Sequence, residues 1–242
     1  MSALLDWLIK RSLTEAFWIF LIENILVWCL ALGFGALLVT LFPHRRTTDN
    51  PIPTFSTHPS LELTLSALSI FINTLITWAG FYLWQKGIIV VKPFEGGVRD
   101  LLDAITLVLI IDLAMYGLHR LAHAPPFYRL LHTLHHRFEE PTSLTLFSLH
   151  PFETLSFGVL WLCILSFYSA SIAGILLYLT FNVVFGVIGH CGVDPFPSWW
   201  SKHPICKLMA TGTFHVSHHR KEASNFGFYT TIWDRLFGTF RE

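Results

Sequence analysis

Residues 101–136 read LLDAITLVLIIDLAMYGLHRLAHAPPFYRLLHTLHH, an apolar run that leads into two clusters of histidines. Its apolar part, residues 101–118, approaches the roughly 20 residues that an α-helix needs to span a bilayer. Pro125 and Pro126 follow the first cluster, and proline ends a helix because it lacks a backbone N–H donor and clashes with the preceding turn. We therefore expect a membrane helix that places histidines where it leaves the membrane.

The composition of the whole chain is that of a membrane protein. Hydrophobic residues make up 53% of the 242 residues and charged residues 13%, whereas roughly 25% are charged in ordinary soluble domains. Residues 25–42 and 64–84 are further candidate spans. The uncharged stretch from Leu155 to Ile188 is too long for one span and predicts a helical hairpin that turns near Ser169.

These segments predict an all-α integral membrane protein with about four to five transmembrane or hairpin helices. We expect N-terminal transmembrane helices and loops over residues 1–100 and a catalytic membrane domain with the histidine clusters over residues 101–242. A hairpin brings its two ends back to one face of the membrane, so all the histidine clusters can lie on the same side.

The distribution of lysine and arginine suggests which side that is. If the histidine clusters face the cytoplasm, eleven of the sixteen Lys and Arg residues lie there, in agreement with the positive-inside rule. The C-terminal sequence FGTFRE lacks an obvious retrieval signal, which favours a bacterial inner membrane over the endoplasmic reticulum.

Three short histidine clusters indicate a metal site. Their members are His119 and His123; His132, His135 and His136; and His215, His218 and His219. Positions i, i+3 and i+4 of a helix fall within an arc of about 100°, so the imidazoles of one cluster can point one way. Imidazole is the commonest metal ligand in proteins, and eight ligands exceed the four that a structural zinc takes. Two metal ions are the simpler interpretation.

Several other polar residues lie near the clusters in the sequence. Asp112 and Tyr116 share a helical face with His119 and are the candidate catalytic residues. An intramembrane carboxylate is a functional candidate, and Asp112 could accept a hydrogen bond from a ligand histidine or else line a polar cavity or cap a neighbouring helix. His190, at the end of the hairpin, is the candidate ninth ligand.

Three more residues are candidate metal ligands or supporting groups. His150 could be a ligand, could pair with Glu153, or could start a helix at the membrane interface. Asn182 lies slightly over two helical turns before His190 and could face the same cavity or serve ordinary helix packing.

Other function classes fit less well. The net charge is zero, which argues against nucleic acid as a partner, and the four cysteines show no CxxC spacing. A membrane zinc hydrolase would show HExxH, which does not occur. A histidine-rich metal transporter or haem protein would place its ligands within the spans rather than at their ends.

The ordered motifs DLAMYGLHRLAH, LLHTLHHRFEEPTSLTLFSLHPFE, GHCGVDPFP and FHVSHHRKEASNFGFYTTIWDRLFGT resemble the fatty acid hydroxylase / sterol desaturase superfamily of membrane non-haem di-iron enzymes. The resemblance covers about residues 110–240. It implies a four-helix-type membrane anchor beneath a cytosolic helical cap, with two iron ions between them.

The resemblance also assigns residues. The eight clustered histidines and His190 would ligate iron, and Asn225 and Asp234 match the closing pattern of the family as support for the last cluster. Some relatives have a second ligand four residues before the position of His190, where this chain has Gly186. A water, Asn182 or His150 could replace it, or one iron could have fewer ligands.

The implied reaction is O2-dependent hydroxylation of a C–H bond in a membrane lipid, fatty acyl or sterol-like, with lipid desaturation as the alternative. The eight residues between the first two clusters favour the hydroxylase branch. Zinc has no redox chemistry, so zinc in a purified sample would be a substitute for iron. Electrons would come from a separate donor protein, a reductase with a ferredoxin or a cytochrome b5 type of carrier.

Overall fold

A computed structural model describes residues 2–47, 59–138 and 141–241, which are helical apart from loops and isolated bridges. The helices are α1 (Ser2–Ile9), α2 (Leu13–Leu41), α3 (Pro59–Gln85), α4 (Val98–Ala122), α5 (Thr133–His136), α6 (Pro151–Phe167), α7 (Ile172–His190), α8 (Gly212–Arg220) and α9 (Ile232–Leu236). A π-helical turn over Tyr128–His132 leads directly into α5.

Four helices, α2, α3, α4 and α7, are long and apolar enough to cross a membrane, and α6 is a shorter apolar helix. The predicted all-α membrane architecture is therefore confirmed. Helix α2 begins well before the predicted span at residue 25, because Ser12 and Glu15 form a capping box at its start. Helix α4 ends at Ala122, just before the two prolines, as expected.

The helix ends sort into two faces. We call the face at which α2, α4 and α7 end and α3 and α6 begin the histidine face. There the N–H of Thr47, after α2, donates to the carbonyl of Gly192, after α7, at 3.1 Å. The hydroxyl of Thr145 donates to Glu62 in the first turn of α3 at 2.7 Å. All three histidine clusters lie at or near this face.

We call the opposite face the tip face, because the α6–α7 hairpin turns there. Asp103 of α4 fixes the turn by accepting hydrogen bonds from the hydroxyl of Tyr168 at 2.7 Å and from the N–H of Ser171 at 2.6 Å. The N–H of Lys92 donates to Ala170 in the same turn at 2.9 Å. The turn lies between Phe167 and Ile172, at the predicted position near Ser169.

The core between the spans is apolar. Leu107 and Ile111 of α4 pack against Ile175 and Tyr178 of α7. A second cluster joins α2 to the end of α7 and includes Leu38 and Ile188. Because α2 packs on α7 and α3 packs on α6, segments from both sides of residue 100 build this core, and the division into 1–100 and 101–242 stays a prediction.

A small cap covers the histidine face. It consists of the π-helical turn, α5, α8, α9 and the loops between them. Helix α8 packs on α7, which brings the third histidine cluster back to the first two.

Candidate metal centre

Nine histidines meet beneath the cap in two groups. The first group contains five: His119, His123, His132, His136 and His218. The second group contains four: His135, His190, His215 and His219. One candidate ligand atom from each member lies within 4.8 Å of those of the other members of its group.

The two HxxHH clusters divide between the groups in opposite ways. In α5 and the turn before it, His132 and His136 join the first group and His135 joins the second. In α8, His215 and His219 join the second group and His218 joins the first. The three imidazoles of a cluster therefore do not all point one way. Residues i and i+4 stay together because they are nearly in line on a helix, whereas i+3 points to the neighbouring group.

Within each group the imidazole Nε2 atoms face one another. The Nε2 of His132 lies 3.1 Å from that of His119 and 3.1 Å from that of His136. In the second group the Nε2 of His215 lies 3.0 Å from that of His190 and 3.1 Å from that of His219. Neighbouring ligands about 2.1 Å from one ion stand about 3.0 Å apart at right angles and about 3.4 Å apart at tetrahedral angles.

For His119 and His132, the other ring nitrogen indicates that the contact between their Nε2 atoms is not a hydrogen bond. The Nδ1–H of His119 donates to the carbonyl of Phe226 at 2.9 Å, and the Nδ1–H of His132 donates to the carboxylate of Glu153 at 2.7 Å. A neutral imidazole that donates from Nδ1 carries a lone pair on Nε2. The two facing Nε2 atoms are then both acceptors, so the donor set fits a cation between them.

Burial keeps these imidazoles neutral. Removal from water, together with the neighbouring imidazoles of His119 and His136, lowers the pKa of His123 to about 2. Burial likewise holds the pKa of His215 and of His218 well below the ordinary value. Neutral imidazole is the form that binds metal, so the site is prepared for a cation at neutral pH.

Main-chain carbonyls orient three of the rings. Besides Phe226 for His119, the carbonyl of Ser224 accepts from Nδ1 of His218 at 2.7 Å, and that of Gly186 accepts from Nδ1 of His190 at 2.8 Å. These partners could not be predicted from the sequence, because every residue has a carbonyl and only the fold determines which carbonyl faces a ring.

Asp112 and Tyr116 contact the C-terminal segment instead of the histidines. The carboxylate of Asp112 accepts from the N–H of Tyr229 at 2.9 Å, from the hydroxyl of Thr230 at 2.5 Å and from the indole of Trp233 at 2.9 Å. The hydroxyl of Tyr116 lies 3.0 Å from that of Thr239. The carboxylate that accepts from a histidine, the role considered for Asp112, is that of Glu153.

Asp234 and Asn225 shape the segment that holds His119. Asp234 is buried and accepts from the N–H of Phe226 and of Gly227, both at 2.8 Å. Asn225 has a positive φ of 62° and exchanges hydrogen bonds with the backbone of Arg241. Both residues therefore fix the backbone around Phe226, whose carbonyl orients His119.

The remaining candidates have distinct places. His150 starts α6, where its Nδ1 accepts from the N–H of Phe152 at 3.3 Å, and it belongs to neither histidine group. Asn182 accepts from the hydroxyl of Tyr229 at 2.6 Å. At Gly186 a Cβ would lie 2.8 Å from a methyl group of Leu146, so Leu146 fills the space that a ligand side chain at position 186 would need.

Two adjacent cavities lead from the membrane region to the histidines. The smaller, of about 230 Å³, is lined by histidines of both groups, including His132 and His135, and by Glu153. The larger, of about 700 Å³, lies among the spans. Six residues line both cavities: Asn73, Met115, Phe147, Phe157, Asn182 and Val183. A lipid in the larger cavity would thus lie directly beside the histidine site.

The fold and the site together define a class, that of multi-pass membrane proteins with paired polyhistidine metal sites at one membrane face. Comparison with known proteins gives the family. The sequence model of the fatty acid hydroxylase family matches residues 104–239, more than half of the chain, and the chain belongs to this family. The predicted membership of the fatty acid hydroxylase / sterol desaturase superfamily is thereby confirmed.

Curated relatives include both desaturases and hydroxylases of sterols. A Delta(7)-sterol 5(6)-desaturase of Candida albicans is 29% identical over 210 residues, 83% of this chain and 50% of the relative. A cholesterol 25-hydroxylase-like protein of Danio rerio is 32% identical over 158 residues, 60% of this chain and 57% of the relative.

A methylsterol monooxygenase of Aspergillus fumigatus is 31% identical over 137 residues, 54% of this chain and 44% of the relative. The chain thus spans about half the length of these relatives. No solved structure matches it significantly.

Proposed function

We propose that this chain is a membrane di-iron monooxygenase that uses O2 to hydroxylate a C–H bond of a membrane lipid, fatty acyl or sterol-like. The observation that carries the proposal is the arrangement of nine histidines in groups of five and four around a cavity that adjoins a larger one among the spans. An unactivated C–H bond offers no handle for acid or base chemistry. Redox metal chemistry is one of few routes to it.

The nine histidines of the two groups would hold the metal ions. Iron is the proposed metal because it suits imidazole ligands and undergoes redox change, which zinc does not. When bound, iron would supply the activation of O2. The five ligands of the first group also exceed the four of a structural zinc site.

The protein's own groups would orient the imidazole rings, hold the segment that supports them, and exclude water from the site. Glu153 and the carbonyls of Phe226, Ser224 and Gly186 fix the rings to which they hydrogen bond. Apolar walls such as Phe157 keep bulk water from the smaller cavity. Asp112, Tyr116, Asn225 and Asp234 are proposed as positioning residues, because they hold the segment whose carbonyls orient His119 and His218.

Hydroxylation needs two electrons: RH + O2 + 2 e⁻ + 2 H⁺ → ROH + H2O. We propose a separate electron-donor protein, a reductase with a ferredoxin or cytochrome b5 type of carrier, at the histidine face. The excess of lysine and arginine on that side supports a cytoplasmic position for the donor. A bacterial inner membrane is the proposed location.

Desaturation is the second candidate reaction, because the desaturase of Candida albicans is among the relatives. The two reactions are separated by the product. A hydroxylase retains one oxygen atom of O2 in the lipid, whereas a desaturase adds a double bond and no oxygen. Incubation with ¹⁸O2 and mass spectrometry of the extracted lipids distinguishes them.

Metal content and activity test the proposal together. We expect two iron ions per chain in protein reconstituted anaerobically, no haem absorption band, and O2-dependent formation of an oxidised lipid. His135→Ala should abolish product and lower the iron content, whereas His44→Ala, an exposed histidine outside both groups, should change neither. A single stoichiometric zinc that supports activity would contradict the proposal.

A further inference from the structure

The larger cavity contains polar side chains in an otherwise apolar membrane region. Glu23 and Asn24 of α2 line it, with Asn73 and Thr77 of α3 on another wall. Their neighbours along α2 on the same wall, such as Phe20 and Val27, are apolar. Ionisable residues within membrane spans are costly to place there, so they mark functional sites by default.

The position of Glu23 along α2 places it far from the metal centre. Leu38 of α2 packs in one cluster with Ile188, two residues before His190. Glu23 lies fifteen residues before Leu38, or about 22 Å at 1.5 Å per residue. It also lies about 15 Å inside the start of α2 at the tip face, about a third of the way along this 29-residue helix.

Glu23 and Asn24 have unused hydrogen-bonding capacity. Over the described parts of the chain, Glu23 is exposed, and its carboxylate forms neither a hydrogen bond nor an ion pair. The amide of Asn24 donates once, to the carbonyl of Phe20 at 2.8 Å. That leaves a second N–H and the amide oxygen of Asn24 free for a ligand. Because both residues line the cavity, they offer it donors and acceptors from adjacent positions of α2.

The chemistry of this pair selects among lipids. A hydroxyl group can donate to the Glu23 carboxyl group and accept from the amide of Asn24 at once. The carboxylate of a fatty acid would instead meet a second carboxyl group, and two carboxylates cannot both be ionised at short distance in a low-dielectric region. The pair therefore fits an elongated apolar lipid that carries a neutral hydroxyl group at one end.

We propose that Glu23 and Asn24 bind the hydroxyl group of a sterol-type lipid and so determine which part of the molecule reaches the metal centre. This inference rests on the proposed function and deepens it by naming the substrate class and its orientation. With the hydroxyl group about 20 Å from the level of His190, the oxidised carbon lies toward the opposite end of the lipid. The residues Asn73 and Asn182, which line both cavities, then flank its path.

Binding of a fluorescent sterol tests the pair directly. The full chain in lipid nanodiscs is mixed with dehydroergosterol, and energy transfer is followed from the tryptophans, of which Trp84 and Trp161 line the cavity. Cholesterol and cholesteryl methyl ether then compete for the site. We expect wild-type protein to bind cholesterol at least about tenfold more tightly than the ether, the scale of one hydrogen bond to a charged group.

Variants of α2 identify the group responsible. In Glu23→Leu the preference for cholesterol over the ether should disappear, and in Glu23→Gln, which keeps hydrogen-bonding atoms, part of it should remain. Leucine is favourable in a membrane span, so the Glu23→Leu variant should fold. Asn24→Leu tests the second residue of the pair in the same competition assay. The matched control is Thr40→Val, which removes a hydroxyl group from the same helix at a residue that lines neither cavity.

The proposal is overturned if wild-type protein does not distinguish cholesterol from its ether, or if Glu23→Leu keeps the same preference. Oxidation within a few carbons of the hydroxyl group would overturn the orientation. Failure of the proposed function is a separate outcome: binding would then show the expected preference while protein with bound iron, supplied with electrons and O2, forms no oxidised sterol.

Discussion

Glu153 is buried at the start of α6, and the hydrogen bond that it accepts from His132 is 2.7 Å long. A carboxylate behind a ligand histidine fixes the tautomer of the ring and strengthens it as a ligand, and loss of such a partner typically lowers metal affinity 10–100-fold. We expect Glu153→Gln to bind iron about 10–100-fold more weakly, as measured by competition with a chelator.

The matched control for this substitution is Glu95→Gln, which removes a carboxylate paired with an exposed arginine. It should leave the iron affinity unchanged. An unchanged affinity in Glu153→Gln would show that the backbone alone orients His132.

The spacing predicted which histidines would come together, but it did not predict how they divide between the two groups. All eight histidines of the three clusters lie in one or other of the two groups, and their role as metal ligands stays a prediction. The assignment of His135 and His218 to the group opposite their cluster partners depends on how α5 and α8 are rotated against one another. That rotation is set by packing between residues distant in the chain, which no local pattern encodes.

The sequence also could not say which carboxylate would accept a hydrogen bond from a histidine. Glu153 was a candidate because it follows His150 closely, and the structure gives it a histidine partner. Asp112 shares a helical face with His119, but its carboxylate points toward the C-terminal segment. A shared face narrows the direction of a side chain, and it does not say which neighbour lies there.

The segment between α8 and α9 is fastened to α4 by Asp112. Two side chains and two backbone N–H groups donate to this buried carboxylate. Asparagine cannot accept all four, and one lost hydrogen bond to a charged group costs about 1.5–3 kcal/mol. We expect Asp112→Asn to lower the unfolding temperature in detergent and to release iron more readily. Asp6→Asn, an exposed residue of α1, should behave as wild type; a stable variant with normal iron would contradict the fastening role.

Close packing restricts the same segment at Gly227. A Cβ there would lie 2.3 Å from the carbonyl oxygen of Thr230 and 2.8 Å from a carboxylate oxygen of Asp234. Because the first of these is backbone, the loop must shift, and overpacking costs about 1–3 kcal/mol. We expect Gly227→Ala to reduce stability and iron content together. The control is Gly117→Ala, because a Cβ there would meet no neighbouring atom within 4 Å. If the two variants lost stability and iron equally, this explanation would be refuted.

Helix boundaries were less predictable than the helices themselves. Counting uncharged residues found each long span, but it placed the start of α2 at residue 25 rather than at Leu13. Glu15 interrupts the apolar run, yet it belongs to the capping box that starts the helix. A charge near a span end can therefore mark a beginning rather than an interruption.

The arrangement of the spans as a whole determines sidedness. Cys206 lies in the cap at the histidine face and is partly exposed, whereas Lys86 lies in the loop after α3 at the tip face. In vesicles of defined orientation, we expect an impermeant thiol reagent to label Cys206 from one side and Lys86→Cys from the other. From the positive-inside rule we expect Cys206 to be labelled from the cytoplasmic side. Labelling of both from the same side would exclude this arrangement of the spans.

The hydrogen bond from His119 to Phe226 joins residues 107 positions apart. During synthesis, the ring of His119 leaves the ribosome long before the carbonyl that will orient it, and the membrane helices are already in place by then. Assembly of the first histidine group must therefore wait until the segment that contains Phe226 has been synthesised. A ribosome-bound intermediate that lacks this segment would hold the ring of His119 unoriented, so the first histidine group is completed only after α4 and α7 have been made.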